Sequence, residues 1–401
     1  MVGIFRPTMK IFLLSLLLVG SFPAFAAKIQ FWDVPRKGAN LFNEVESAER
    51  FAAAKKIGIE VVRLTFNKWK SAAAGAKLGD FLLEPADQEF KTINGDDLKS
   101  LITVLDWAEA SGIKVVLTQL SLPGLRWVQH NNNVSDFRLW ADFKFHSQTE
   151  KYWVQIASAL KDHPAVVGYN LLNEPHPEKV KPRFQDWYTG DYPAWYEKVR
   201  GTPRDLNRFH DEVALAIRTV DKTTPIVVDS GFYALPAAFK VLRPLKDDKV
   251  IYSFHMYEPG EFTSYQNEGK YSYPGKIPVG ESDKPPVVEF DRRELGRLLE
   301  PVQKWQRDHR IPPTRIIAGE FGVFRGNRGA AEYLADVVSL LKQAGWHWAF
   351  YSFQEDAWAG MDYEVGAKKF EKEELYPLAV RQKRYTPNPL WDVLLRALKA
   401  Q

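Results

Sequence analysis

Eight short apolar runs, separated by segments of helical spacing, set the strongest limit on how this chain can fold. They cover residues 38–42, 58–64, 112–117, 165–172, 225–230, 249–255, 315–320 and 347–353. Each run is rich in β-branched or aromatic residues, which is typical of buried strands. Strands that alternate with helices favour a parallel sheet, and eight of them suit closure into a barrel. We therefore predict an α/β fold, a (β/α)8 TIM barrel with long βα loops.

The segments between these runs carry apolar residues at helical spacing. Clear examples are Leu98, Leu101, Ile102 and Leu105, then Trp153, Ile156 and Leu160, and finally Leu334, Val337, Val338 and Leu341. The competing fold, an open doubly wound sheet, would need a phosphate-binding glycine loop near the first strand. The sequence has no such loop there. The length of 401 residues also suits a single barrel domain.

The first residues have the pattern of an export signal. Arg6 and Lys10 make a positive start, residues 11–19 are apolar, and residues 24–26 read Ala-Phe-Ala, a small-x-small cleavage site. The apolar stretch is too short to span a bilayer. We predict a signal peptide over residues 1–26 and a catalytic domain over residues 27–401, secreted or periplasmic. The alternative is an uncleaved membrane anchor.

Charge and cysteine content exclude several classes of protein. The formal net charge of +4 is too small for a nucleic-acid partner. The chain has no cysteine, which excludes disulfides, thiol catalysis and cysteine-ligated zinc. After the signal, no stretch is long and apolar enough to suggest a membrane span. We expect a monomer without a metal or another cofactor.

Polar residues follow several of the predicted strands. Arg63 ends the second strand, Asn173 and Glu174 follow the fourth, and Glu320 ends the seventh. The carboxyl ends of parallel barrel strands meet at one face, so these side chains should lie together. Two facing carboxylates are the groups that hydrolyse a glycosidic bond. The pattern therefore predicts a carbohydrate-cleaving site.

Two motifs make the resemblance specific. Residues 172–176 read Leu-Asn-Glu-Pro-His, and residues 317–322 read Ile-Ala-Gly-Glu-Phe-Gly. With His-Met-Tyr at residues 255–257 between them, they resemble the signatures of family 5 glycoside hydrolases, the cellulase family, over about residues 36–395. The resemblance implies a (β/α)8 barrel and hydrolysis with retention. It also implies that Glu174 is the general acid/base and Glu320 the nucleophile.

The same resemblance implies that Arg63, Asn173, His255 and Tyr257 belong to the substrate-binding site. Arg63 would keep Glu320 ionised, and Tyr257 would donate a hydrogen bond to it. Asn173 would contact the sugar 2-hydroxyl, and His255 would border the acid/base.

The sequence departs from the family pattern at two places. Many members carry a histidine at the end of strand three, where this chain has Leu120. Many also carry a tryptophan late in strand eight, where this chain has Tyr351, with Trp358 in the next loop as a substitute. We predict that Tyr351 and Trp358 bind sugar. The departures leave the identity of the sugar open.

These observations lead us to expect a secreted β-glycoside hydrolase that resembles an endoglucanase. A mannanase or an exo-acting β-glucosidase is the alternative within the family. Outside it, a non-catalytic sugar-binding barrel and a metal-dependent hydrolase using His163, His176 and His255 stay open. The segments 176–204 and 258–290, both rich in proline and tyrosine, are predicted to be loops that wall the site.

Overall fold

The centre of the molecule is a closed barrel of eight parallel strands. The computed structural model describes residues 27–84, 89–368 and 386–400, so the predicted signal peptide lies outside the described residues. The strands are β1 (Lys37–Leu41), β2 (Val61–Leu64), β3 (Lys114–Thr118), β4 (Val166–Asn170), β5 (Ile226–Asp229), β6 (Val250–Met256), β7 (Ile316–Phe321) and β8 (His347–Phe350). Each pairs with its neighbours in chain order, and β1 closes the ring between β8 and β2. The predicted barrel and its eight strands are confirmed.

Helices surround this barrel. Those of two turns or more in the described residues are α1 (Ala48–Ile57), α2 (Gly95–Ala110), α3 (Phe143–Leu160), α4 (Tyr192–Val199), α5 (Leu206–Arg218), α6 (Arg292–Asp308), α7 (Ala330–Ala344) and α8 (Pro389–Lys399). One-turn helices lie at Ala27–Gln30 and Gly260–Thr263, and Gly231–Ala234 forms a turn with left-handed backbone at Phe232 and Tyr233. Strand β5 is followed only by short turns, among them the 3-10 helix Pro236–Lys240. Within the described ranges, no helix has the length and apolar character needed to cross a membrane.

Short acidic side chains begin several of these helices. Asp142 accepts a hydrogen bond from the Lys144 amide at the start of α3, and Asp291 accepts from the Arg293 and Glu294 amides at the start of α6. Such caps satisfy amide donors that have no partner within the helix. They fix where each helix begins, and so fix the length of the loop that precedes it.

The inside of the barrel changes from apolar to polar along the strands. The lower layer contains Val61, Val116, Val167, Val227, Ile251 and Ile317, packed around Trp32. Two residues further along their strands stand Arg63, Thr118, Asp229 and Ser253, all buried. Side chains that point the same way recur every second residue in a strand. The strand period therefore places a polar layer directly above an apolar one.

Trp32 closes the lower end of the barrel. It lies in the short turn Phe31–Asp33, is completely buried, and donates a hydrogen bond from Nε1 to the Val167 carbonyl at 2.9 Å. An indole needs such a partner when it is buried. Because the lower end is filled, a ligand can enter the barrel only from the carboxyl ends of the strands.

The segment 258–290 was predicted as a loop without regular structure, and part of that prediction is wrong. Gly275–Pro278 and Val287–Phe290 form an antiparallel two-stranded ribbon within it. Ile277 and Phe290 are completely buried and attach the ribbon to the core. Strands of four residues are too short for their alternation to stand out in a sequence. A second small ribbon pairs Leu83–Glu84 with Thr92–Ile93.

Candidate active site

An open cavity of about 760 Å³ lies at the carboxyl ends of the strands. Its lining residues come from seven of the eight strand ends or βα loops, all except those of β5, and include many aromatic rings. They are Phe42, Lys68, Leu120, Trp127, Gln129, Asn173, Glu174, Tyr257, Tyr265, Glu320, Tyr351, Glu355, Ala357, Trp358 and Met361. Aromatic faces beside a few polar groups suit a flat, hydroxyl-rich ligand.

Glu174 and Glu320 face each other in this cavity. Oxygen atoms of the two carboxyl groups lie within 4.8 Å of each other. Glu320 belongs to β7, whereas Glu174 follows β4 by four residues. The Glu174 side chain is 17% exposed and that of Glu320 is 6% exposed. The pair is thus shielded from solvent but still reachable from the cavity.

Arg63 holds the floor of the site together. Its Nη1 donates to Asn40 Oδ1 at 2.8 Å and to Glu320 Oε1 at 2.7 Å, and its Nη2 donates to Asn170 Oδ1 at 2.8 Å and to Asn173 Oδ1 at 2.7 Å. The guanidinium is 1% exposed. A buried charge needs such partners to offset its lost hydration. Arg63 therefore positions Glu320 and Asn173 at once.

Asp229, at the end of β5, fixes the backbone of Glu174. Its Oδ2 accepts the Glu174 amide at 3.1 Å, while the Glu174 carbonyl accepts a hydrogen bond from His176 Nδ1 at 2.7 Å. Glu174 has φ +51°, a left-handed conformation that non-glycine residues rarely adopt. Strain of this kind persists where surrounding contacts determine it. The two hydrogen bonds hold the carboxyl group toward the cavity.

The two carboxyl groups differ in their affinity for a proton. Burial raises the pKa of Glu174 well above its ordinary value, and the neighbouring Glu320 and Asp229 carboxylates raise it further. Burial also raises the pKa of Glu320, but Arg63 and the hydrogen bond from Tyr257 oppose this effect. One proton shared by the pair therefore resides on Glu174, and Glu320 carries the charge.

His255 and Tyr257 complete the contacts of this pair. His255 Nδ1 lies 2.9 Å from Glu174 Oε1, and Tyr257 donates to Glu320 Oε2 at 2.8 Å. Burial and the charge of Arg63 lower the pKa of His255 well below its ordinary value, so its ring is neutral. Burial and the two carboxylates raise the pKa of Tyr257 well above its ordinary value, so its hydroxyl stays a donor.

The structure brings every predicted site residue to the same end of the barrel. Asn173, Tyr257, Tyr351 and Trp358 line the cavity with the two glutamates. Arg63 and His255, which were predicted to bind substrate, are each 1% exposed and do not line it. They contact the carboxyl groups from below instead, since both side chains point into the barrel interior.

The sequence did not lead us to Asn40, Asn170 and Asp229, although they show the same signal that identified the other site residues. Each is a polar residue at or near the end of an apolar strand. It also missed Lys68, Trp127, Gln129, Tyr265 and Glu355, which line the cavity from loops. Loop residues have no periodicity that would reveal where their side chains point.

The segment 176–204 was expected to wall the site, and this expectation is wrong for the cavity itself. None of its residues lines the cavity. It forms helix α4 and packs beside the site: the His176 ring stacks on Tyr233 at 4.5 Å. The walls come instead from the loops after β2, β3, β6 and β8.

The three histidines of the metal-dependent alternative do not meet. His163 Nε2 lies 3.2 Å from Asp106 Oδ1 at the other end of the barrel, and His176 contacts the backbone of Glu174. Glu174, His255 and Glu320 alone have ligand atoms close enough for an ion, as judged from the described residues. Arg63 and Tyr257 already bind the two oxygens of Glu320.

The chain matches the family model described as Cellulase (glycosyl hydrolase family 5) over residues 27–357. It is 22% identical to endoglucanase C of Acetivibrio thermocellus over 337 residues, which are 76% of this chain and 85% of that protein. The structure of endoglucanase Cel5A from Thermotoga maritima has a TM-score of 0.61 at 20% identity, covering 93% of this chain and 98% of that one. Structures of that enzyme with cellobiose and with mannotriose have TM-scores of 0.59 at 19% identity, covering 92% of this chain and 99% of those chains.

Replacement of Gly319 by alanine should disrupt the floor of the site. A Cβ atom there would stand 2.6 Å from Ser253 Oγ, 3.2 Å from His255 Nε2 and 3.4 Å from Arg63 Nε. We expect Gly319→Ala to lower the free energy of unfolding in urea by about 1–3 kcal/mol, the usual cost of overpacking. Gly296→Ala is the matched control. Gly296 lies in helix α6, and a Cβ atom there would meet only Leu340 Cδ2, at 3.9 Å. Equal stability of the two variants would contradict the tight packing described for Gly319.

Proposed function

Because this chain belongs to glycosyl hydrolase family 5, the cellulase family, we propose that it hydrolyses internal linkages of a β-linked glucan with retention of configuration. The observation that carries the proposal is the facing pair Glu174 and Glu320, with carboxyl oxygens within 4.8 Å. Retaining glycosidases have carboxyl groups about 5–5.5 Å apart, whereas inverting enzymes leave about 6.5–9.5 Å for a water molecule. The close approach of these oxygens supports the retaining arrangement.

In the first step Glu320 attacks the anomeric carbon while Glu174 gives its proton to the glycosidic oxygen. The bond between that oxygen and the anomeric carbon breaks, and the leaving sugar departs as an alcohol. Arg63 and Tyr257 hold Glu320 by one oxygen each, at 2.7 Å and 2.8 Å. Their donors keep the carboxylate ionised and oriented for attack.

In the second step Glu174 acts as a base. Burial still raises the pKa of Glu174, but the ester that Glu320 forms with the sugar is neutral, so the contribution of the Glu320 charge to that rise is gone. Glu174 then accepts a proton from water, which attacks the anomeric carbon and releases Glu320 as a carboxylate. The same carboxyl group thus donates a proton and later recovers one.

The shape of the cavity supports a polymeric substrate. Tyr351 and Trp358 form one aromatic wall, with ring centroids 6.5 Å apart, and Trp127 and Tyr265 lie on loops after β3 and β6. Several separated rings can each stack a sugar along a chain. Endoglucanase C, a relative along most of the chain, supports a glucan. The mannotriose complex of the related fold makes a mannan the second candidate.

Glu174→Gln and Glu320→Gln should each abolish most hydrolysis of β-glucan. Loss of the general acid/base is expected to lower kcat by about 10²–10⁴-fold, and loss of the nucleophile by at least as much.

The wild type should lose activity at high pH, where Glu174 gives up its proton. Because the pKa of Glu174 is raised, this loss should begin at a pH above the ordinary carboxyl range. Glu174→Gln should lack this limb of the pH profile in kcat/KM.

Glu178→Gln is the matched control for these variants. Glu178 is fully buried, accepts a hydrogen bond from Tyr192 and does not line the cavity, and glutamine keeps an oxygen for that bond. It should retain activity. A chelator should leave the wild type unaffected, whereas inactivation by the chelator would favour the metal-dependent alternative. Near-normal turnover by either catalytic variant would overturn the assignment of roles.

Retention can be read directly from the first product. We expect an NMR time course on a soluble β-glucan or a cello-oligosaccharide to show the β-anomer first, followed by slow mutarotation. A first product with the α configuration would exclude Glu320 as a nucleophile, because a single displacement inverts the anomeric carbon.

We further propose that the enzyme acts outside the cytoplasm as a monomer. The signal pattern of residues 1–26 supports export, and all groups of the site come from one chain. Mass spectrometry of the exported protein should find Ala27 as the first residue. Retention of residues 1–26 on the exported protein would contradict cleavage at that site.

A further inference from the structure

Strand β5 differs from the other seven strands of the barrel. Among the described residues, its carboxyl end and the loop after it supply none of the cavity lining. After Asp229 and Ser230 the chain instead enters the tight turn Gly231–Ala234. This turn lies beside the segment that follows Glu174 on the neighbouring strand β4. The end of β5 therefore contacts the backbone around the proposed acid/base rather than the cavity.

Three successive residues of this turn have a left-handed backbone. Phe232 has φ +55° and ψ +48°, Tyr233 has φ +61° and ψ +41°, and Ala234 has φ +61°. In this conformation the Cβ atom lies too close to the following carbonyl oxygen, so it normally occurs at single residues. Strain of this kind persists only where the surroundings determine it, and it is concentrated at functional sites. The turn is therefore a candidate for a specific role.

Buried contacts keep the turn in this shape. Ser230 Oγ donates to the Leu235 carbonyl at 2.9 Å, which joins the two ends of the turn. Phe232 is 1% exposed and Ala234 is completely buried. Tyr233 stands between these two buried residues, so the turn sets the direction of its side chain.

The end of β5 holds three consecutive residues of the acid/base segment. Asp229 Oδ2 accepts the Glu174 amide at 3.1 Å. The Tyr233 amide donates to the Pro175 carbonyl at 3.1 Å. The Tyr233 ring stacks on the His176 ring, with centroids 4.5 Å apart and an angle of 17° between the planes. One strand end thus fixes the amide of the acid/base, the carbonyl of the next residue and the side chain of the one after it.

His176 connects the Tyr233 ring back to Glu174. Burial lowers the pKa of His176 to about 4, so its ring is neutral, and Nδ1 donates to the Glu174 carbonyl at 2.7 Å. The peptide groups on both sides of Glu174 are therefore held. Since the backbone sets the direction of the bond from Cα to Cβ, these contacts set where the carboxyl group points.

The Tyr233 ring is engaged by the chain itself rather than by the cavity. It does not line the cavity, and His176 covers one of its faces. The Lys179 ammonium lies 5.4 Å from its centroid, within the range of a cation–π contact. The ring is thus placed to support the site from behind and not to bind sugar.

We propose that the turn Gly231–Ala234 positions the general acid/base, and that Tyr233 is the positioning residue, which holds Glu174 in its left-handed conformation through Pro175 and His176. This inference rests on the proposed hydrolase function. It gives β5 a role in the reaction, which is to direct the proton of Glu174 toward the glycosidic oxygen.

The test compares leaving groups that differ in their need for a proton. A dinitrophenolate leaves without protonation, whereas a phenolate, like a sugar, needs the proton of the general acid. Tyr233→Ala removes the stacked ring and keeps the amide. Because a displacement of about 1 Å can cost about 10²-fold, we expect kcat/KM to fall about 10- to 100-fold for phenyl β-cellobioside and by less than about threefold for dinitrophenyl β-cellobioside. His176→Ala removes the same stacked pair from the other side and should give the same pattern.

Two further variants serve as controls. Tyr233→Phe keeps the ring and the amide, so it should restore the wild-type ratio of kcat/KM between the two substrates. Trp195→Ala removes a stacked pair at another place: Trp195 stacks on Tyr192 in helix α4, with centroids 5.4 Å apart and an angle of 11° between the planes. It should lower the temperature of thermal unfolding and leave the ratio between the substrates unchanged.

Thermal unfolding should show that each variant is folded, and if Tyr233→Ala does not fold, His176→Ala decides. Equal losses on the two substrates, or no loss on either, would overturn the positioning role while leaving the hydrolase intact. A wild type that hydrolyses neither these cellobiosides nor the matching mannobiosides would overturn the hydrolase function itself.

Discussion

The buried guanidinium of Arg63 is the interaction on which the rest of the site depends. It contacts Asn40 from β1, Asn170 and Asn173 from the region of β4, and Glu320 from β7. A charge at this depth is tolerated only where polar partners offset its lost hydration. The same requirement that stabilises Arg63 inside the barrel also fixes the distance between strands on opposite sides of it. The contacts that position Glu320 and those that stabilise the buried charge are therefore the same.

The different behaviour of the two glutamates follows from this arrangement. Arg63 and Tyr257 contact Glu320 and favour its charged form, whereas Glu174 faces other carboxylates and a neutral histidine. Identical side chains thus acquire opposite protonation states from their surroundings. The backbone contributes as well, because Asp229 and His176 keep Glu174 in a left-handed conformation that aims it at the cavity. In this site the protonation of a carboxyl group depends on the residues that surround it more than on its own residue type.

Much of the fold, and the position of the site in it, could be predicted from the sequence because both depend on the periodicity of apolar and polar residues along the strands. Arg63 lies two residues after Val61, and Asp229 two residues after Val227, so the strand period places their polar side chains above the apolar layer, at one end of the barrel. The motifs around Glu174 and Glu320 pointed to the two carboxyl groups that lie close together in the cavity. The two-stranded ribbon within residues 258–290 was not predicted, since its strands are short. Lys68 and Glu355 were also missed, because they lie 287 positions apart on irregular loops.

The sequence alone determined the barrel, its strand order and the identity of the carboxyl pair, because each is encoded in local apolar runs and in motifs at strand ends. Only the tertiary structure decided that Arg63 and His255 lie beneath the cavity, that the segment 176–204 packs beside it, and that Lys68 meets Glu355 across the end of β1. These are contacts between distant parts of the chain. Their geometry depends on how loops close over the barrel, and no local pattern of residues records it.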